Sequence, residues 1–174
     1  EMAGTGQTAM GFPEQYGGGG DIGASVAAFE TLALGDLSVL VKVGVQFGLF
    51  GGAVLQLGTQ RHHEQYLADI VSGELLGCFG LTEPGHGSDA ANLRTKAVRD
   101  GDDWVIDGEK IFITNGTWAD ACLVFARTGG PGPKGVSAFI VPTDTPGFER
   151  REVTGKLGLR GQATAALSFS GVRV

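Results

Sequence analysis

Two short stretches hold most of the residues that could do chemistry. In Cys78-Phe79-Gly80-Leu81-Thr82-Glu83-Pro84 an apolar run ends at a proline, which has no N–H for a neighbouring strand, so regular pairing must stop near it. Gly85-His86-Gly87-Ser88 follows and offers backbone amides with little side-chain cover. Such a turn can form a nest for an anion, a pyrophosphate above all, or it can be a plain hairpin turn with a hydroxyl cap. The second stretch, Phe112-Ile113-Thr114-Asn115-Gly116, brings an aromatic ring and a hydroxyl together in a strand-like run. Alternation puts Ile111 and Ile113 on one face and Phe112 and Thr114 on the other, so at least one face is expected to be ordinary core.

Other reactive side chains point to blander roles. Adjacent His62 and His63 diverge by about 100° on a helix and lack a carboxylate at ligand spacing, which favours a packed or solvated pair over a metal site. His86 reads as an exposed turn histidine, with a pH-sensitive contact as the alternative. Asp89 reads as a cap on a turn or short helix, and Glu83 is a weak candidate for a general base. Cys78 and Cys122 are too few for a disulfide framework and too far apart for a metal knuckle; they read as free buried thiols in a reducing compartment.

The elements that position these residues change period part-way along the chain. From 21 to 72 the pattern is helical: Val26, Phe29, Leu32 and Ala33 recur behind Asp21, a plausible N-cap, and Thr59 and Gly73 bracket a second helix. The segment 37–58 is mostly apolar, with Lys42 its one charge and Gly44, Gly48 and Gly52 at four-residue spacing. A central lysine costs about 2.5–3.5 kcal/mol on insertion into a bilayer, so this segment reads as buried helix packed closely through glycines, not as an integral membrane span. After Gly73 the period becomes two. Runs at 93–98, 104–106, 110–114, 122–126, 136–141, 148–153 and 165–169 read as short strands, and Asp107-Gly108 reads as a hairpin turn between two of them. The fold expected is α+β: a partial helical domain over 1–73, then a small antiparallel β-barrel or sandwich over 74–174.

Composition agrees with that class. A chain of 174 residues, 42% hydrophobic and 18% charged, is globular and can form one ordinary domain or two small ones. A net charge of −6 argues against nonspecific nucleic-acid binding. No basic flank with an apolar core marks a signal peptide.

Taken in order, Pro13-Glu14-Gln15-Tyr16-Gly17-Gly18, Leu81-Thr82-Glu83-Pro84-Gly85-His86-Gly87-Ser88-Asp89, Phe112-Ile113-Thr114-Asn115-Gly116, Asp144-Thr145-Pro146-Gly147-Phe148 and Lys156-Leu157-Gly158-Leu159-Arg160 resemble the acyl-CoA dehydrogenase family. The resemblance covers nearly the whole chain. It implies an FAD flavoprotein of fatty acid β-oxidation that oxidises acyl-CoA thioesters at Cα and Cβ. It also implies flavin contacts from Phe79, Gly80, Leu81, Thr82, Ser88, Phe112, Ile113 and Thr114, with Ser88 also beside the substrate. The implied roles are specific: Thr82 at the flavin pyrimidine edge, Ser88 at the pyrophosphate, Phe112 covering the flavin and Thr114 near N5.

The family's catalytic glutamate belongs to a C-terminal helical domain beyond these residues, so the expectation is a flavoenzyme fragment with no catalytic residue and no metal of its own. Alone, it is expected to bind FAD weakly and turn over nothing. Implied partners are the acyl-CoA substrate, like subunits in a homodimer or homotetramer, and an electron-transfer flavoprotein; the implied location is the cytoplasm in a bacterium or an organelle in a eukaryote. His86, together with Lys42-Val43-Gly44-Val45-Gln46-Phe47-Gly48-Leu49-Phe50-Gly51-Gly52, is more similar to the acyl-CoA oxidases, which reoxidise flavin with O2, and a noncatalytic assembly module on the same fold is a further alternative. At Arg160-Gly161-Gln162-Ala163-Thr164 the family's serine and aspartate are absent, so no binding role falls there.

Overall fold

The computed structural model describes Gly6 and residues 9–174. They form two compact units, one reaching to Gly77 and including Lys156–Gln162, the other made of Cys78–Gly155 and Ala163–Val174.

The helical unit is built by local signals that the sequence displays. Helix α1 (Ile22–Gly35) starts where the Asp21 carboxylate accepts from Ala24 N at 2.9 Å, and α2 (Leu37–Val43) where Asp36 accepts from Ser38 N at 2.7 Å. A π-helical stretch, Gly44–Gly51, continues α2 into α3 (Gly52–Leu57). By length and composition alone, Leu37–Leu57 could cross a bilayer, yet Phe47, Phe50 and Val54 are buried within the unit. The rings of Phe12 and Phe47 meet edge to face at 6.2 Å.

The glycines expected to allow close packing are not the ones that do so. A Cβ on Gly44 or Gly48 would meet nothing within 4 Å, whereas one on Gly51 would lie 2.7 Å from Phe12 Cζ and 2.9 Å from Ile70 Cγ2. The extra residue of the π turn rotates the helix, so a four-residue spacing no longer marks one face. The next helix runs through α4 (Gln60–His62), a π-helical stretch His63–Leu67 and α5 (Ala68–Ser72). At its start Thr59 N donates to His62 Nδ1 at 3.1 Å, and it ends at Gly73 in the left-handed conformation, φ 78°. His63 Nε2 lies 3.1 Å from Val54 O and His62 stacks on Tyr66. Among the described residues, no cluster of three or more His, Cys, Asp or Glu could hold a metal.

The second unit is a seven-stranded sheet of β1 (Gly77–Gly80), β2 (Lys96–Asp100), β3 (Asp103–Thr114), β4 (Ala121–Arg127), β5 (Val136–Pro142), β6 (Phe148–Glu152) and β7 (Thr164–Arg173). Neighbours follow the order β1-β4-β2-β3-β7-β6, with β5 on β4. The pairs β2–β3, β3–β7, β4–β5 and β6–β7 are antiparallel, but β2 meets β4 in parallel at Lys96 and Arg127, so the sheet is mixed and curled rather than wholly antiparallel. Its core holds Cys78, Ile106, Ile113, Val124, Val141 and Leu167. Strand β6 closes the order at one end, with Glu149, Arg150, Arg151 and Glu152 exposed.

The expected Asp107-Gly108 hairpin does not exist. Both residues lie inside the single long strand β3, and the chain reverses instead at Gly101-Asp102, between Asp100 and its partner Asp103. Gly108 sits at a register shift against β7 with φ 150°; a Cβ there would lie 2.6 Å from Thr95 Cα. Asp107 accepts from Gly171 N at 2.8 Å across the same irregularity. A dipeptide that favours a turn in isolation is here used as a bulge, because β7 pairs across it.

Candidate functional site

Strand β3 and the loop after β1 build the site together. The loop leaves β1 at Gly80, where a side chain would crowd Cys122 Sγ at 2.9 Å. Residues 81–83 then lie against β3: Ile111 N donates to Thr82 O at 2.9 Å, and Lys110 Nζ donates to Leu81 O at 3.2 Å and to Glu83 Oε1 at 2.9 Å. The Lys110 side chain is wholly buried and that of Glu83 almost so. Glu83 also accepts from Arg94 N at 2.5 Å and Thr95 N at 2.8 Å. Burial pushes the Glu83 carboxyl up, but hydrogen bonds from Thr95, from the Arg94 amide and from Lys110 outweigh it and bring its pKa from 4.5 to about 2. Burial holds the Lys110 ammonium below its ordinary value, with Glu83 pulling the other way. Fully committed to these partners as a carboxylate, Glu83 is no general base.

Beyond Glu83 the loop turns on a two-bond bridge, Glu83 N to His86 O and His86 N to Glu83 O, each 3.1 Å. Cβ atoms added at Gly85 and Gly87 would meet nothing within 4 Å, so this side of the turn faces open space. His86 is half-buried rather than exposed, and its Nε2 is buried without a partner. Ser88 is exposed farther along the loop. Asp89 stands at the N-cap position of a one-turn 3-10 helix, but its carboxylate accepts from the Asn92 side-chain Nδ2, at 2.8 and 3.0 Å, and caps no backbone amide.

The Phe112 corner is positioned differently. Against β7, Lys110 pairs with Leu167 and Ile113 with Ala165, so β3 carries one extra residue between them. Phe112 takes up the slack at φ 60° and Asn115 turns at φ 65°, both left-handed. For an L-residue that conformation costs about 1–2 kcal/mol. The expected alternation therefore fails: Lys110 and Ile113 are buried, Ile111 is half-buried, and Phe112 is 64% exposed. Ile113 is 3% exposed and belongs to the core, so only its backbone could meet a ligand. Thr114 is half-buried at the end of β3, and Trp118, 51% exposed, adds a second aromatic to the corner. In β1, Phe79 is half-buried against Phe125 at 4.9 Å.

The structure thus brings Leu81, Thr82 and the strand leading to Phe112 side by side, with Ser88 exposed farther along the loop. A cavity of about 320 Å³ borders this junction, lined by Pro84, Glu109, Ile111, Arg150 and Ser168 among others. An exposed aromatic face, open turn amides and an orphaned imidazole nitrogen suit a planar cofactor with a phosphate tail. Sequence reading passed over Lys110 and Thr95. A lysine set directly before the apolar Ile111-Phe112-Ile113 was the available signal for the first. Cys78 and Cys122, distant in sequence, meet as buried thiols in hydrogen-bond contact, and burial pushes the Cys122 thiol up.

Residues 78–172 match the model of the acyl-CoA dehydrogenase middle domain, and residues 1–74 that of the acyl-CoA dehydrogenase N-terminal domain. The chain belongs to the acyl-CoA dehydrogenase family. It is 41% identical over its whole length to the human mitochondrial short-chain specific acyl-CoA dehydrogenase, of which it spans 43%. Among solved structures it resembles a glutaryl-CoA dehydrogenase from Mycobacterium smegmatis in complex with FADH2, at 38% identity and a TM-score of 0.91, covering 99% of this chain and 44% of that one. Butyryl-CoA dehydrogenase from Megasphaera elsdenii matches at 37% and 0.91, covering 99% and 47%. Against all three, this chain spans less than half of the relative.

Proposed function

We propose that this chain forms the flavin wall of an FAD-dependent acyl-CoA dehydrogenase. The observation that carries the reading is Phe112, an aromatic ring presented to solvent on a left-handed backbone beside Thr114 and next to the anchored Leu81-Thr82 loop. Strained, exposed aromatics are costly unless something uses them. When bound, FAD supplies the electron sink for α,β-dehydrogenation of an acyl thioester.

Phe112 offers the face on which a flavin ring could rest, and Thr114 a hydroxyl at the same corner. Leu81 and Thr82 hold the ring's edge, Phe79 and Gly80 shape the strand that leads to them, and Ile113 contributes backbone. The amides of Gly85, Gly87 and Ser88, with the Ser88 hydroxyl, hold the pyrophosphate, and Ser88 also borders the thioester. The relatives reported above, one human mitochondrial and two bacterial, support a short-chain or dicarboxylic acyl-CoA substrate and a cytoplasmic or organellar setting; the family resemblance adds like subunits in a homo-oligomer and an electron-transfer flavoprotein as acceptor.

The test uses the polypeptide as its gene encodes it. Purified protein titrated with FAD is expected to show a resolved flavin spectrum that butyryl-CoA or glutaryl-CoA bleaches in the absence of oxygen. Protein that takes up no FAD overturns the reading and leaves a noncatalytic assembly module in its place. Rapid recovery of colour in air, with matching oxygen consumption, selects the oxidase that residues 42–52 and His86 resemble.

A further inference from the structure

Lys110 is the least expected side chain in the β unit: an ammonium with no solvent exposure, on a strand whose other charged residues, Asp103, Asp107 and Glu109, are exposed. An apolar pair of similar volume would fill the space of Lys110 and Glu83 at lower desolvation cost. What the ion pair adds is direction. Lys110 holds Leu81 O and Glu83; Glu83 holds the amides of Arg94 and Thr95; Thr95 Oγ1 donates to Glu109 O at 3.3 Å, back on β3. The circuit closes on itself and fixes residues 81–83 in height along β3, two residues from Phe112.

We propose that Glu83 and Lys110 are the positioning residues of the flavin site, setting the register of the 81–88 turn against the Phe112 corner. This rests on the flavin reading above. Neither side chain touches cofactor or substrate; both act through Leu81, Thr82 and the turn. An apolar replacement would therefore keep the β unit folded while letting the turn drift relative to the ring that Phe112 supports.

The experiment compares wild type with Glu83→Gln and with Glu83→Gln/Lys110→Met, in the polypeptide as its gene encodes it. Three readouts are taken: thermal melting, FAD dissociation constant by fluorescence titration, and amide hydrogen exchange of residues 81–88 against strand β5. The double variant removes both charges, so no buried ion is left alone and the fold is retained. It is expected to bind FAD about tenfold or more weakly, with residues 81–88 exchanging about tenfold faster and β5 unchanged. FAD affinity within about twofold of wild type in the folded double variant overturns the proposal. So does faster exchange in β5 and in the turn alike, or loss of fold in both variants, since each marks the pair as general scaffolding. Failure of the wild type to bind FAD is a different result: it withdraws the flavin reading itself, and this role with it.

Discussion

Residues 81–83 are held in place by charge, through one buried ammonium and one buried carboxylate that accepts three donors, whereas residues 112–115 are held by packing, with Ile113 in the core and Phe112 forced outward at φ 60°. The two segments adjoin on β3, yet their vulnerabilities differ in kind. Charge positioning is all-or-none, because losing one partner strands the other in low dielectric. Packing positioning is graded, because a core gives way methylene by methylene.

The comparison breaks most sharply at Lys110. Lys110→Met alone leaves Glu83 buried and unpaired, and is expected to cost about 3–5 kcal/mol in urea unfolding followed by tryptophan fluorescence. A cost under about 1 kcal/mol would mean that water already reaches the pair. Next is Ile113→Ala, where about 2–5 kcal/mol should be lost with no change in the pH dependence of stability; a changed pH profile would show that the corner also depends on charge.

Acid should act on the first segment only. Glu83 holds its proton less tightly folded than unfolded, so stability is complete above pH 4.5 and falls as pH drops from about 4.5 to 2, by roughly 3 kcal/mol at most. Glu83→Gln should flatten that slope, and an unchanged slope in urea titrations at pH 5, 4 and 3 would assign acid lability elsewhere. Phe112→Gly is the smallest: it removes an exposed ring and relieves a left-handed backbone, so stability should rise by no more than about 1 kcal/mol while FAD affinity falls. A loss of stability would show that the ring is already packed without a ligand.

What could be read from the sequence was what neighbours in sequence decide. The Asp21 cap and the Gly73 terminus are local devices, and both stand where they were expected. Six of the seven strands were legible from alternation, with two expected runs fusing into β3 and β1 lying in none of them, and the two site stretches from their turn and aromatic chemistry. The failures share a cause. Asp107-Gly108 became a bulge because β7, more than fifty residues later, pairs through it. Alternation broke at Phe112 for the same reason. Lys110 could not be placed indoors without knowing that Glu83 arrives from 27 residues away. Gly51, not the regularly spaced glycines, takes Phe12, since a π turn had shifted the helix face.

Strand β6 carries its four exposed residues as a palindrome, Glu149-Arg150-Arg151-Glu152, on the strand that ends the sheet. If a second copy docked there antiparallel and centred, Glu149 would face Glu152 and Arg150 would face Arg151; in-register parallel docking would set each residue against itself. Both arrangements put like charges directly opposite one another at every position, where each such pair is destabilising. In those two arrangements the palindrome makes the edge a poor partner for its own copy.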